Sequence, residues 1–256
     1  MKIVNSILTK NPCYRAGRKI TVKGLMLHSV GCSQPNASVF INNWNDPSYN
    51  RACVHAFIDA KSGDVYQCLP WNHRGWHGGG TSNNTHIGVE MCEPDCIKYT
   101  GGSKFIVLDK EKAQEMVKRT YESAVELFAM LCEENDLNPL TDIVSHEEGN
   151  KKGIASNHDD PEHLWNGVGL PYTMNTFRND VKEKMNGNTS TFKPFAVRVS
   201  ITNLNIRKGA GTSYQSIGAC PKGVYTITET KTVNGLEWGK LKSGLGWIAL
   251  KYATKV

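Results

Sequence analysis

Across residues 109–135, the positions Ala113, Met116, Val117, Thr120, Ala124, Leu127, Phe128 and Leu131 recur at steps of three and four. That period lays one stripe along a single long helix, and the stripe must be buried against something. Asp109 stands where an N-cap belongs. Short apolar runs supply the surface to bury it. GLMLHSV (24–30), ACVHAFID (52–59) and HIGVEMC (86–92) read as strands. The turn at 61–64, with Gly63, joins the second of these to VYQCLP (65–70) as a hairpin. SVFINNWN (38–45) reads as a short helix, DIVSH (142–146) as a strand, and 173–185 as a helix with Met174, Phe177 and Val181 on one face. The expected fold class is α/β, a mixed central sheet flanked by helices.

This pattern stops at MNGNTSTFKPF (185–195), a stretch rich in Asn, Gly, Ser and Thr that ends in Lys-Pro and reads as a linker. Beyond it come short β-rich runs separated by Gly-containing turns, such as FAVRVSI, LNIRKGAG and GWIALKYA, the pattern of a small all-β barrel. The expected division is a first domain over 1–185, a linker over 186–195 and a second domain over 196–256. Charge divides the same way. The chain carries +6 in all, but 196–256 holds nine Lys and Arg against two Glu, a net +7, which leaves −1 for the rest. An anionic partner is expected for the second domain alone, with nucleic acid not among the expected partners.

No apolar run approaches the ~20 residues that span a bilayer, so membrane insertion is not expected. The first twenty residues lack the continuous apolar stretch of a secretory signal, so synthesis in the cytoplasm is expected. The eight cysteines are irregularly spaced with no CxxC pair, which disfavours a zinc knuckle. They read as small buried hydrophobes, with Cys92 and Cys96 near enough to pair on oxidation.

The chemistry-bearing candidates gather around SHEEGNKKGIASNHDDPEHLW (145–165), with three His, three Glu and two Asp. A catalytic zinc needs three protein ligands and a fourth position left open. His28 near one strand end and His146 at another, with His158, Asp159, Asp160 and His163 in the loop after it, could supply them. Taken singly, each is as compatible with a structural role.

In order along the chain, GLMLHSVG, VHAFID, GDVYQCLPWNHRGWHGG, NNTHIGVEM and SHEEGNKKGIASNHDDPEHLW resemble the type 2 N-acetylmuramoyl-L-alanine amidases. These share a fold with phage-lysozyme amidases and peptidoglycan recognition proteins. The resemblance covers about 22–185, and ASNHDDPEHLW is close to a form seen in endolysins and autolysins of Gram-positive systems. It implies Zn2+ held by His28, His146 and Asp160, the Asp directly before Pro161, with the Asp159 side chain pointing elsewhere. It implies Glu90 as general base and His158, standing where many members carry Lys, as the donor to the developing oxyanion. The branch that uses a tyrosine on the second strand would have it near Val54, and this chain departs from that branch. Trp76 and His77 match a WHAG-like segment lining the substrate groove.

The bond implied is the amide between the lactyl group of N-acetylmuramic acid and L-alanine. The remaining polar groups read more plainly. His55 is expected to pack structurally. His73, His86 and His163 are expected at the surface or behind the ligands. Glu147 and Glu148 could orient His146 or simply form a solvated acidic pair, and Lys151-Lys152 reads as a solvated loop.

In the tail, LNIRKGAGTSYQSIG, KGVYTITE and EWGKLKSGLGWIALKYA resemble a bacterial SH3 domain, which implies docking on cell wall, with anionic wall polymers suited to the charge. Tyr214, Trp238, Trp247 and Tyr252 are candidates for an aromatic groove or for the barrel core. The whole then reads as a phage or prophage endolysin released through a holin to lyse a Gram-positive host. The alternatives are a bacterial autolysin of the same activity, a non-catalytic peptidoglycan-binding protein, and a zinc peptidase cutting within the stem peptide.

Overall fold

A computed structural model describes residues 1–187, 194–233 and 235–256. The chain divides into two compact units, Met1–Asn188 and Thr189–Val256. Of the expected linker, residues 188–193 lie outside the described residues.

The first unit runs β1 (Ile3–Asn5), α1 (Pro12–Arg15), β2 (Gly24–Ser29), α2 (Ala37–Trp44), β3 (Ala56–Ile58), β4 (Val65–Gln67), β5 (His86–Met91), β6 (Ile97–Gly101), β7 (Lys104–Val107), α3 (Lys110–Asn135), β8 (Ile143–Ser145), α4 (His146–Lys151), α5 (Glu162–Gly167) and α6 (Met174–Met185). Six of the strands form one sheet in the order β1-β4-β3-β5-β2-β8. Only the β3–β4 hairpin is antiparallel within it. The fold is mixed α/β, with helices flanking a central sheet.

Period-two alternation decides what each strand offers to each face. Leu25 and Leu27 of β2, Ala56 and Ile58 of β3, and Ile87, Val89 and Met91 of β5 join one apolar cluster with α3 and α6. Phe57 goes to a second cluster with Leu8, Ala37 and Leu69. His28 and Glu90 are therefore one step out of phase with the residues that meet the long helix. They also share a rung, as Cα partners in the parallel β2–β5 pair. Helix α3 matches its stripe: all eight repeating positions are buried. Asp109 accepts from the backbone N–H of Lys112 at the N-cap, and Asp136 ends the helix in the left-handed conformation.

Three local readings change. Of 52–59 only Ala56–Ile58 is strand; Cys53 instead forms an isolated bridge with Trp76. The hairpin β6–β7 was not foreseen. The stretch after the last strand is no plain loop, because His146 is the first residue of α4. Ser145 caps that helix and Glu148 reaches back, closing a capping box that satisfies two backbone donors. Glu148 also takes a two-pronged ion pair from Arg178 of α6, at 2.7 and 2.9 Å. Glu147 pairs with Lys151, one turn along the same helix. So the acidic pair divides: Glu148 holds the helix that presents His146, while Glu147 makes a surface pair.

The second unit contains β9 (Phe195–Val199), β10 (Leu204–Arg207), β11 (Ser216–Cys220), β12 (Gly223–Val233), β13 (Leu236–Leu241), β14 (Trp247–Ala249) and β15 (Ala253–Lys255). They form a seven-stranded sheet in the order β11-β10-β14-β13-β12-β9-β15. Every pairing in it is antiparallel. Its core is Val197, Val199, Leu204, Ile206, Cys220, Ile227, Leu241 and Ile248. All eight cysteines of the chain are free, Cys92 and Cys96 included. Among the described residues no helix is long and apolar enough to cross a membrane.

Candidate metal centre

The sheet brings His28 from β2 beside His146 from α4, and the turn before α5 adds Asp160. Nδ1 of His28 lies 3.0 Å from Nδ1 of His146 and 3.1 Å from Oδ2 of Asp160. Nδ1 of His146 lies 3.5 Å from Oδ1 of Asp160. All three side chains are buried. Four-coordinate zinc with ligands at about 2.0–2.2 Å spaces its donors roughly 3.3–3.5 Å apart, so these atoms stand near the separations such an ion requires. Among the described residues, they form a group able to hold a metal ion. Two imidazoles and one carboxylate are also a donor set that zinc takes.

Electrostatics within the group favour the ligating forms of His146 and Asp160. Burial and the neighbouring His28 ring push His146 down to about 4, so it is neutral near pH 7. Burial alone would raise Asp160, but its hydrogen bond to His28 and the two adjacent imidazoles hold it below its ordinary value. For His28, burial opposes charge, yet the Asp160 bond and the Glu90 and Asp160 carboxylates together raise its pKa. A dication in their midst would take over this stabilising role.

The group opens into a cleft of about 710 Å³ lined in part by Glu90, Tyr99, Trp76, His77, Ser156 and His158. Oε2 of Glu90 is buried there with no hydrogen-bond partner. Burial pushes this carboxyl up to about 7, against the attraction of His28. A carboxyl at that value near neutral pH suits proton transfer.

His158 is exposed at the cleft, its ring centre 4.4 Å from that of His146. The two are linked by Ser156, whose Oγ lies 3.1 Å from Nε2 of His146 and 3.2 Å from Nδ1 of His158. Asp159 turns away from the group: its Oδ2 accepts from Ser103 Oγ at 2.7 Å. Ser103 stands at the tip of the β6–β7 hairpin.

Trp76 lines the cleft. His77 lines it too, but it is also bonded to His28, with Nδ1 3.0 Å from Nε2 of that ring. Burial and the His28 and His55 rings hold His77 well below its ordinary value. His55 is structural, accepting from the Gly88 N–H and donating to the His73 carbonyl. His163 meets the Tyr99 hydroxyl at 2.8 Å, and that hydroxyl donates to the fully buried Glu93 at 2.7 Å. Ser156, Tyr99 and Glu93 went unnoticed in the sequence. Ser156 at least stands two residues before His158, while nothing in the spacing marks Tyr99 or Glu93.

In the second unit the four candidate aromatics do not share one groove. Trp238 and Tyr252 line a cleft of about 370 Å³ with Asn203 and Arg207. Trp247 is buried beside Trp238 in a small apolar cluster, with the ammonium groups of Lys231 and Lys240 at 5.5 and 5.8 Å from its ring. Tyr214 is exposed and its ring covers Gly209, where a Cβ would come within 2.6 Å of it. Trp247 is set by its rungs with Arg207 and Lys240.

Comparison with known proteins is consistent with this geometry. The profile of the N-acetylmuramoyl-L-alanine amidase family matches residues 17–163. No curated protein sequence matches the chain. Among solved structures, the Staphylococcus aureus hydrolase AmiA in complex with its ligand is similar over 73% of this chain and 85% of its own, at 20% identity and a TM-score of 0.54. A mutant endolysin from Bacillus subtilis is similar over 71% of this chain and 99% of its own, at 19% identity and a TM-score of 0.49. At 20% identity the likeness to AmiA is one of fold.

Proposed function

Because the chain belongs to the N-acetylmuramoyl-L-alanine amidase family, over more than half its length, we propose that it is a zinc hydrolase cutting the amide between N-acetylmuramic acid and L-alanine in peptidoglycan. The observation that carries this reading is the buried His28–His146–Asp160 group with the unpartnered Glu90 carboxyl in the same cleft. Zinc, when bound there, supplies Lewis acidity for the attacking water and the amide carbonyl.

The chain's own groups do the rest. Glu90 takes a proton from the attacking water and delivers it to the departing amine of L-alanine. With Nδ1 of His146 turned to the metal, its Nε2–H donates to Ser156 Oγ, and the Ser156 hydroxyl donates to Nδ1 of His158. That leaves Nε2–H of His158 to donate to the carbonyl oxygen as charge develops on it.

Digestion of purified walls checks the bond. New N-terminal L-alanine is expected without new reducing sugar, and release of another terminus would reassign the reaction to a cut within the stem peptide. A non-catalytic binder would release neither.

For the second unit the proposed role is wall binding by an SH3-like module, supported by its all-antiparallel sheet and its net +7, a charge suited to anionic wall polymers. A chain ending at residue 187 is expected to keep its activity on soluble wall fragments and to lose adhesion to intact cells. Equal adhesion of both forms in a sedimentation assay would remove the anchoring role. In this reading the protein is an endolysin of a phage or prophage acting on a Gram-positive wall after holin-mediated release. A bacterial autolysin is the alternative, and the genes beside it tell the two apart.

A further inference from the structure

His77 was expected as groove wall, yet its two ring nitrogens are both engaged inside the protein. Nε2 lies 3.1 Å from the carbonyl oxygen of His86. A carbonyl only accepts, so Nε2 carries the proton and donates it. In the neutral ring Nδ1 is then bare, and it faces Nε2 of His28 at 3.0 Å. A bare nitrogen only accepts, so the proton between the rings belongs to Nε2 of His28. The other nitrogen of His28, Nδ1, is the one turned to His146 and Asp160.

We propose that His77 is a positioning residue for the metal ligand His28, accepting its Nε2 proton and so leaving Nδ1 as the nitrogen offered to the ion. The inference rests on the zinc reading above and adds a residue to it. Metal-bound histidines commonly donate their second N–H to a fixed acceptor. Ser156 is that acceptor for His146, and His77 is the one for His28.

The surroundings hold the ring for this task. Asn83 Oδ1 accepts from the backbone N–H groups of both His77 and Gly78, at 2.8 and 2.9 Å. Beneath the ring lies Gly88 of β5, where a Cβ would stand 2.3 Å from the imidazole. The strand that carries Glu90 thus also makes room, two residues earlier, for the partner of His28.

The test uses the full chain, His77→Leu and His77→Asn, with zinc affinity measured by competition against a chromophoric chelator. His77→Leu keeps the volume and removes the acceptor, and is expected to weaken zinc by about 10–100-fold. His77→Asn offers Oδ1 where Nδ1 stood and is expected to restore most of that loss. Independently of any variant's folding, 15N spectra of the wild-type rings, metal-free and with zinc, should place the shared proton on Nε2 of His28. A coupling to Nδ1 of His77 across the hydrogen bond should accompany it. A proton found on Nδ1 of His77, or wild-type zinc affinity in His77→Leu, overturns the proposal. A wild-type chain that binds no zinc overturns it together with the metal reading. Zinc binding and the coupling without release of L-alanine termini would leave His77 in place and sink only the bond assignment.

Discussion

Asp160→Ala should strip the chain of zinc and of wall lysis together, while Asp159→Ala should keep both. The neighbouring carboxylates differ in what they face. Asp160 is buried with Oδ2 3.1 Å from Nδ1 of His28, and Asp159 is exposed with its Oδ2 on Ser103. Removing Asp160 leaves two imidazoles where a catalytic zinc needs three ligands. The loss of affinity should exceed the about 10–100-fold that follows from losing a group behind a ligand, with lysis at background. Removing Asp159 breaks one exposed hydrogen bond, worth about 0.5–1.5 kcal/mol, and frees the tip of the β6–β7 hairpin. Metal content by atomic absorption and turbidity loss of a wall suspension read the two effects separately. An inactive, zinc-free Asp159→Ala beside an active Asp160→Ala would reverse the assignment.

Glu90→Gln should retain zinc and lose about 10²–10⁴-fold in kcat, the usual contribution of a positioned proton acceptor. The substitution keeps shape and removes only the capacity to take a proton. It also carries a pH signature. A general base works ionised, and burial sets Glu90 at about 7, so the wild-type rate should fall as pH drops through and below that value. A bound dication lowers the value of a nearby carboxyl, which moves the fall to the acid side of 7. The residual rate of Glu90→Gln should lack this limb. An unchanged kcat, or the same acid limb in the variant, would assign the base to another group.

Much of this was legible in the sequence wherever a period was long enough to read. Helix α3 announced itself through eight positions on one face, and β2 and β5 through short, mostly apolar runs. His28 on β2 could be named as a candidate from its place near the end of such a run, whereas Glu90 on β5 is singled out only through the family resemblance of IGVEM. Other parts were hidden for physical reasons. Helix α4 is only six residues long and contains Gly149 and Asn150, so local propensity argued for a loop and its capping box escaped notice. The β6–β7 hairpin alternates polar with apolar residues around two glycines, and one exposed hairpin leaves little apolar signature. The contact between His77 and His28 was hidden because the two are 49 residues apart and meet only through the sheet. The bond of Asp159 to Ser103 was hidden as well, since it depends on that hairpin.

The shared rung of His28 and Glu90 bears on how such a protein can be redesigned. Their spacing is fixed by backbone hydrogen bonding between two central strands, whereas Arg51, Ser103 and Asn157 at the cleft belong to connecting segments. On the proposed function, loops can be exchanged to suit a different wall while Glu90 and His28 stay in step. Retargeting then becomes a grafting exercise at the rim, carried out over a floor of two paired strands that the graft need not retune.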